Sequence, residues 1–178
     1  MKQNQRIWIE KGYESIALHG FADLKVERLA KTLEISKSSF YHLFVDLENY
    51  HSFLIDHHLK NCDIISKKES IATSVTPELI DILIDHKLDL LFNKQIRIHL
   101  EFEKYQPILN KIDEMLATPF INVWRKDLNL NFSDVQLRGL FNLALENFFL
   151  KINSENLEKQ WLTDYFSNLK NLIHSIAK

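Results

Sequence analysis

The chain has 178 residues, a hydrophobic fraction of 46%, and only three glycines and three prolines. This composition excludes a disordered chain, and so few helix-breaking residues argue against an all-β fold, which needs many turns. The formal net charge of −2 at pH 7 is not that of a strongly basic nucleic-acid-binding protein. We therefore predict an all-α fold, and any case for a nucleic-acid partner must come from where the charges lie.

Helical periodicity covers the first third of the chain. It predicts four helices, at about residues 4–19, 24–33, 37–44 and 46–66. Gly20 ends the first helix, and Gly12 lies inside it, where close contact with another helix would explain a glycine. Asp23, Ser36 and Asp46 are the predicted N-caps of the next three helices.

Beyond a polar joint at residues 67–74, the same periodicity continues. It predicts further helices at about residues 77–92, 107–126, 133–152 and 154–177. Thr76, Ser133 and Ser154 are the predicted caps. Pro119 should break or kink its helix, because proline removes a backbone hydrogen bond inside a helix.

The segment 95–103 alternates apolar and polar residues, a pattern that is typical of a strand. We predict a helix here nevertheless, because no other segment could pair with a lone strand. Such a helix has no clean polar face, so we expect Arg97, His99 or Glu101 to point inward.

Residues of defined type recur at linked spacings between residues 16 and 44. They are Ile16-Ala17, Gly20-Phe21, Val26, Leu29-Ala30, Ile35 to Ser39, Phe40-Tyr41 and Phe44. This pattern resembles the DNA-binding domain of the TetR family of transcriptional regulators, over roughly residues 6 to 55. The resemblance implies a helix-turn-helix DNA-binding domain at 1–48, joined by a long helix to a helical ligand-binding and dimerisation domain at 49–178. It also implies a repressor that binds a palindromic operator in double-stranded DNA as a homodimer through its last two helices.

A recognition helix must place its first residues against base edges in the major groove. The first residues of the third predicted helix are small or basic, whereas Phe40 and Phe44 can face inward. Hydroxyl and imidazole groups can bind phosphates or base edges, and a base at a helix start adds to the phosphate-binding backbone N–H groups. The predicted DNA-binding residues are Lys25, Ser36, Lys37, Ser38, Ser39, Tyr41 and His42.

Three positions depart from the family pattern. The family usually has Thr or Ser in place of Lys25, Gly in place of Glu34, and a phosphate-binding Lys in place of Leu47. The first sixty residues also contain eight basic and eight acidic residues. These features motivate an alternative, a helical ligand-binding or adaptor protein that has lost operator binding.

The resemblance implies a pocket for a small-molecule effector in the second domain, apolar with a few polar groups. The candidate residues are His86, Arg97, His99, Phe102, Phe120, Trp124 and Phe141. Taken singly, each of these aromatic residues is more often core, and each charge is more often solvated.

Neither metal binding nor catalysis has a sufficient motif in this sequence. His58 and Cys62 share a helix face, but two ligands do not make a zinc site, and the Glu48-to-His51 spacing is not repeated as a di-iron bundle requires. Three glycines cannot build a serine elbow or a phosphate-cradling loop. We predict no metal, no cofactor and no enzyme; an enzyme on a helical scaffold stays open as a second alternative.

Cellular location follows from cysteine content and apolar runs. Cys62 is the only cysteine, so no internal disulfide can form, as is usual in a reducing cytoplasm. The chain opens on polar residues, and its apolar runs are too short to span a bilayer. We expect a cytoplasmic protein without a membrane partner.

Overall fold

The computed structural model describes residues 3–99 and 102–177, without the side chains of Phe102 and Lys104. Over these residues the chain forms helices and no strand, which confirms the all-α prediction. The helices are α1 (Gln3–His19), α2 (Val26–Leu33), α3 (Lys37–Phe44), α4 (Leu47–Ile71), α5 (Ile80–Asp85), α6 (Lys87–Ile98), α7 (Phe102–Leu128), α8 (Asp134–Lys151) and α9 (Lys159–Ile176). In this part of the chain, no helix combines the length and the apolar character needed to cross a membrane.

The helices form two compact units. The first consists of Met1–Asn61 with Leu88–Gln106, and the second of Cys62–Lys87 with Pro107–Lys178. The first unit therefore contains α1 to α3, the first part of α4 and nearly all of α6. The predicted functional boundary at residue 48 falls inside this unit and stays a prediction.

Gly12 allows α1 and α4 to approach closely in the first unit. A Cβ at residue 12 would overlap the Tyr50 hydroxyl oxygen and lie 2.7 Å from ring atom Cζ. The same hydroxyl donates a hydrogen bond to the backbone carbonyl of Trp8. The contact expected around Gly12 is thus confirmed, and its partner is the fully buried Tyr50.

Two of the three residues predicted as N-caps in this unit do occupy N-cap positions. Asp46 accepts a hydrogen bond from the Asn49 N–H at 2.7 Å and caps α4 as expected. Ser36 occupies the N-cap of α3, although its hydroxyl bonds to that of Ser38 and not to a backbone amide. The Asp23 prediction is wrong. A short 3-10 turn ends at Asp23, α2 begins only at Val26, and the Asp23 carboxylate pairs with Arg28.

The helix predicted for residues 77–92 is divided. Its backbone turns away from helical geometry at His86, which separates α5 from α6. Ser74 precedes a short π-type turn, Val75–Leu79, but Thr76 within it has the extended backbone of an N-cap, with φ −112° and ψ 121°, directly before Pro77, as predicted. Helix α6 continues to Ile98, so the alternating segment is helical at residues 95–98, as predicted; Glu101 lies outside the described residues.

Helix α7 runs through Pro119 without the predicted break. Proline has no N–H, so the Met115 carbonyl, four residues earlier, lacks its usual partner inside the helix. The Ser66 hydroxyl of α4 donates a hydrogen bond to that carbonyl at 2.9 Å. The tertiary contact replaces the missing backbone bond, because a buried carbonyl without a partner is costly.

The last two helices pack through aromatic side chains. Ser133 begins α8 with a reciprocal capping box to Gln136, as predicted. Helix α9 begins at Lys159, later than predicted, because the Asn153 carboxamide accepts the N–H groups of residues 155 and 156 and holds them in a turn. Phe148 of α8 lies 5.6 Å from the Tyr165 ring of α9.

Candidate nucleic-acid interface

Helices α2 and α3 are joined by only three residues, 34–36. Glu34 adopts left-handed geometry, with φ 57° and ψ 33°. Its N–H donates a hydrogen bond to the Lys31 carbonyl, and the Ile35 N–H donates one to the Ala30 carbonyl at 3.0 Å. This pair of bonds is a Schellman motif, whose left-handed position favours glycine. It ends α2 abruptly and lets α3 start in a new direction.

Helix α3 has one buried and one exposed face. Phe40 and Phe44 are fully buried, and their rings lie 4.9 and 4.7 Å from the Tyr50 ring. Phe40 also packs edge-on against Trp8, with ring centroids 5.3 Å apart. These contacts fix which face of α3 the solvent meets.

The predicted DNA-binding residues lie mainly on the exposed side of this region. Six of them are exposed: Lys25, Ser36, Lys37, Ser38, Tyr41 and His42. Ser39 is half-buried. Lys25 occupies the N-cap position of α2 with an extended backbone. Leu47, at the first position of α4, is also exposed.

An ion pair within the chain engages the basic residue at the start of α3. The Lys37 ammonium lies 2.7 Å from a carboxylate oxygen of Glu27 on α2. Hydrogen bonding to Lys37 lowers the pKa of Glu27, and the same bond raises the pKa of Lys37. Any phosphate or base that approaches Lys37 must compete with this carboxylate. This pair was not predicted from the sequence, although a tight turn can bring two side chains ten residues apart together.

The residues of the predicted effector pocket fall in different places. Phe120, Trp124 and Phe141 come together in the second unit, where Phe141 lies 5.6 Å from Phe120 and 6.5 Å from Trp124. Trp124 and Phe141 are buried there as core. In the same unit, His86 lies 3.0 Å from the Lys68 ammonium.

Other members of the predicted pocket belong to the first unit or cannot be placed. Arg97 and His99 lie in that unit, where the His99 ring is 4.7 Å from Phe21 and 5.7 Å from Tyr105. The side chain of Phe102 lies outside the described residues.

A buried polar cluster that was not predicted from the sequence links three helices of the first unit. The Tyr13 hydroxyl of α1 donates to Asp89 of α6 at 2.6 Å and lies 2.7 Å from Nδ1 of His58 on α4. Asn61 donates to the same carboxylate at 2.7 Å. Because the Tyr13 hydrogen goes to Asp89, Nδ1 of His58 must carry a proton and donate to the hydroxyl oxygen. Burial lowers the pKa of His58 to about 4, so the ring is neutral.

His58 is therefore part of a hydrogen-bonded core, and Cys62 on the same helix face is buried as well. Within residues 3–99 and 102–177, no three His, Cys, Asp or Glu side chains are grouped so that they could hold a metal ion. No family model matches the chain, and no curated protein is significantly similar to it. The class of protein must therefore be inferred from the exposed face of α3.

Proposed function

We propose that the chain is a DNA-binding transcriptional regulator of the TetR type, in which α2 and α3 form the helix-turn-helix and α3 enters the major groove. The observation that carries this proposal is the two-sided character of α3. Phe40 and Phe44 hold it to the core, while Lys37, Ser38 and His42 remain exposed. Small and basic residues at the start of such a helix suit contact with base edges.

Each predicted DNA-binding residue has a role in this proposal. Lys37, Ser38 and Ser39, in the first turn of α3, contact base edges. Tyr41 and His42, further along, contact the DNA backbone. Lys25 contributes its positive charge at the N-terminus of α2, and Ser36 contributes its hydroxyl group at the start of α3. Contacts to phosphate position the protein, whereas contacts to bases specify the sequence.

The partner that completes a palindromic site is a second copy of the chain, bound through α8 and α9. Both helices expose large apolar side chains. They are Val135, Leu143 and Leu150 on α8, and Leu172 and Ile176 on α9. The three on α8 fall within an arc of about 80° at 100° per residue. Exposed apolar stripes of this kind are unfavourable in water and suit a helix–helix interface.

The proposed regulation is an effector-dependent change of operator affinity. Helix α4 contributes residues to both compact units, so it is the element that would carry the change. An effector in the second unit shifts DNA binding only if it binds the two states of the dimer with unequal affinity. We propose that the operator-bound dimer represses transcription.

Selection of bound DNA from a random duplex pool tests the proposal. Wild type, Lys37→Ala and a control, Lys60→Ala on the exposed surface of α4, would be selected in parallel. We expect a palindromic consensus with half-sites about one helical turn, roughly 34 Å, apart. Lys60→Ala should retain this consensus and Lys37→Ala should lose it. No enrichment by wild type, or the same enrichment by Lys37→Ala, would overturn the proposal.

A second candidate function is an adaptor or ligand-binding protein without an operator. The pairing of Lys37 with Glu27 favours it, because the pair removes a free positive charge from the surface of α3. The salt dependence of DNA binding separates the two functions. Contacts to phosphates release counterions, so operator binding should weaken steeply as salt rises. An adaptor would show weak binding without a sequence preference.

A further inference from the structure

A groove of about 530 Å³ lies in the second unit, between the last turns of α4 and the second half of α7. Its polar lining consists of Ser66 and Ser70 of α4 and of Thr118, Asn122, Arg125 and Lys126 of α7, and its apolar lining of Ala72, Pro119 and Val123. Spacings of three, four and eight residues place each set on one face of its helix. We propose that this groove binds a small anionic molecule that carries hydroxyl groups, such as a sugar phosphate.

The charge of the groove favours an anion. Lys126 and Arg125 are the charged residues of the lining, and none of the described lining residues is acidic; the charge of Arg125 is balanced by its ion pair with Asp134, so Lys126 carries the net positive charge. Cations in the last turn of a helix also stabilise its dipole. That effect accounts for their place at the end of α7 but not for the hydroxyl and amide groups one and two turns earlier. A volume between about 300 and 1,000 Å³ is typical of small-molecule sites.

The hydroxyl groups of α4 favour a ligand that also donates hydrogen bonds. The Ser66 hydroxyl gives its hydrogen to the Met115 carbonyl, and the Ser70 hydroxyl gives its hydrogen to the Lys67 carbonyl at 2.7 Å. Each serine oxygen can then only accept from a ligand. Ligand hydroxyls would donate to this side of the groove.

The α7 side supplies donors for the anionic group. The Arg125 guanidinium is held in place by the Phe132 carbonyl at 3.2 Å and by the Asp134 carboxylate at 2.5 Å. These bonds use two of its five N–H groups. Asn122 and Lys126 are exposed side chains that also donate. A guanidinium fixed before binding loses less conformational entropy when the ligand arrives.

This site differs from the predicted aromatic pocket, since it shares no residue with it. Binding in the groove does not depend on DNA; any effect of the ligand on operator affinity rests on the proposed function. A direct measurement of ligand binding therefore tests the groove alone. Its result does not depend on whether the chain binds an operator.

Isothermal titration of the full chain with glucose 6-phosphate, inorganic phosphate and glucose tests the groove. Glucose 6-phosphate should bind most tightly, phosphate more weakly and glucose least. Loss of a charge-assisted hydrogen bond in Lys126→Gln should weaken glucose 6-phosphate binding about tenfold. Asn122→Asp, which adds a negative charge, should weaken it at least as much.

Lys111→Gln is the matched control, because Lys111 is an exposed lysine of α7 outside the groove. It should bind glucose 6-phosphate as wild type does. Two results would overturn the inference: no heat of binding with either anion at millimolar concentration, or equal weakening by Lys126→Gln and Lys111→Gln.

Discussion

The Lys37 ammonium at the start of α3 lies 2.7 Å from the Glu27 carboxylate of α2. Both side chains are exposed, so the pair contributes little to stability. Its consequence concerns the proposed function: on that proposal, DNA must displace Glu27 before a phosphate or a base can take its place. A negative charge next to the contact surface also repels the phosphate backbone.

Glu27→Gln should therefore raise DNA affinity several-fold and make it fall more steeply with salt, since another positive charge becomes available to release counterions. Fluorescence anisotropy with a labelled duplex across a salt series measures both quantities. Asp63→Asn is the control, because it removes a carboxylate from an exposed ion pair with Lys67 on α4. Unchanged or weaker binding by Glu27→Gln would exclude Glu27 as a competitor of DNA.

Gly12→Ala should destabilise the first unit. Alanine is the better helix former by roughly 1 kcal/mol, but its Cβ would overlap the buried Tyr50 side chain. Overpacking of this kind costs about 1–3 kcal/mol, so we expect a net loss of stability. Urea denaturation followed by circular dichroism measures it.

A double variant and a second glycine make this test specific. Tyr50→Phe removes the overlapping hydroxyl but leaves ring atom Cζ 2.7 Å from the new Cβ, so it should rescue Gly12→Ala only in part. A Cβ at Gly139 would meet nothing within 4 Å, and Gly139→Ala should be neutral or stabilising. If Gly12→Ala behaved like Gly139→Ala, the close contact with Tyr50 would be refuted.

Local features of the fold could be predicted from the sequence. The helical class and the bounds of α1, α3 and α8 follow from periodicity and caps. Ser133 followed by Gln136 is a local signature, and the capping box forms as expected. Phe40 and Phe44 are four residues apart, so their burial on one face of α3 was also predictable.

Features that depend on distant residues could not be predicted. Pro119 should interrupt α7 by local rules, and only the Ser66 hydroxyl, contributed by another helix, supplies the missing hydrogen bond. The bond between Tyr13 and Asp89 spans 76 residues, and no periodic pattern encodes such a contact. The start of α2 was misplaced for a local reason, because the Asp23 carboxylate pairs with Arg28 and does not cap the backbone.

Glu69 should make the second unit less stable as pH rises. Its side chain is 2% exposed, and Oε2 has no hydrogen-bond partner among the described residues. Burial raises the pKa of Glu69 to about 8 from an ordinary value of 4.5. The pKa of Glu69 is higher in the folded chain than in the unfolded chain. The stability that the protonated carboxyl contributes is therefore fully present below pH 4.5 and is lost as pH rises through 8.

Glu69→Gln should remove this dependence and stabilise the chain at pH 9 by roughly 2–4 kcal/mol. The difference should disappear near pH 4.5. Thermal unfolding of wild type and variant across this pH range provides the comparison, with Glu114→Gln, an exposed carboxyl of the same unit, as control. An equal pH dependence in wild type and Glu69→Gln would show that Glu69 titrates at its ordinary pKa.

The exposed apolar residues of α8 and α9 yield the last prediction. Leu143 is 72% exposed and Leu172 is 58% exposed in the single chain. If a second copy covers them, a charge at either position would be desolvated at the interface without a partner. Leu143→Glu and Leu172→Glu should each raise the dissociation constant of the dimer at least about tenfold. Sedimentation velocity over a range of concentrations measures this change.

Ile71→Glu is the matched control, because Ile71 is 79% exposed but lies at the end of α4. It should leave the dimer intact. A wild-type chain that stays monomeric, or variants of α8 and α9 that dimerise as wild type does, would leave these side chains without the proposed partner. The palindromic site expected of two recognition helices would then lose its structural basis, even if a single copy still bound DNA through α3.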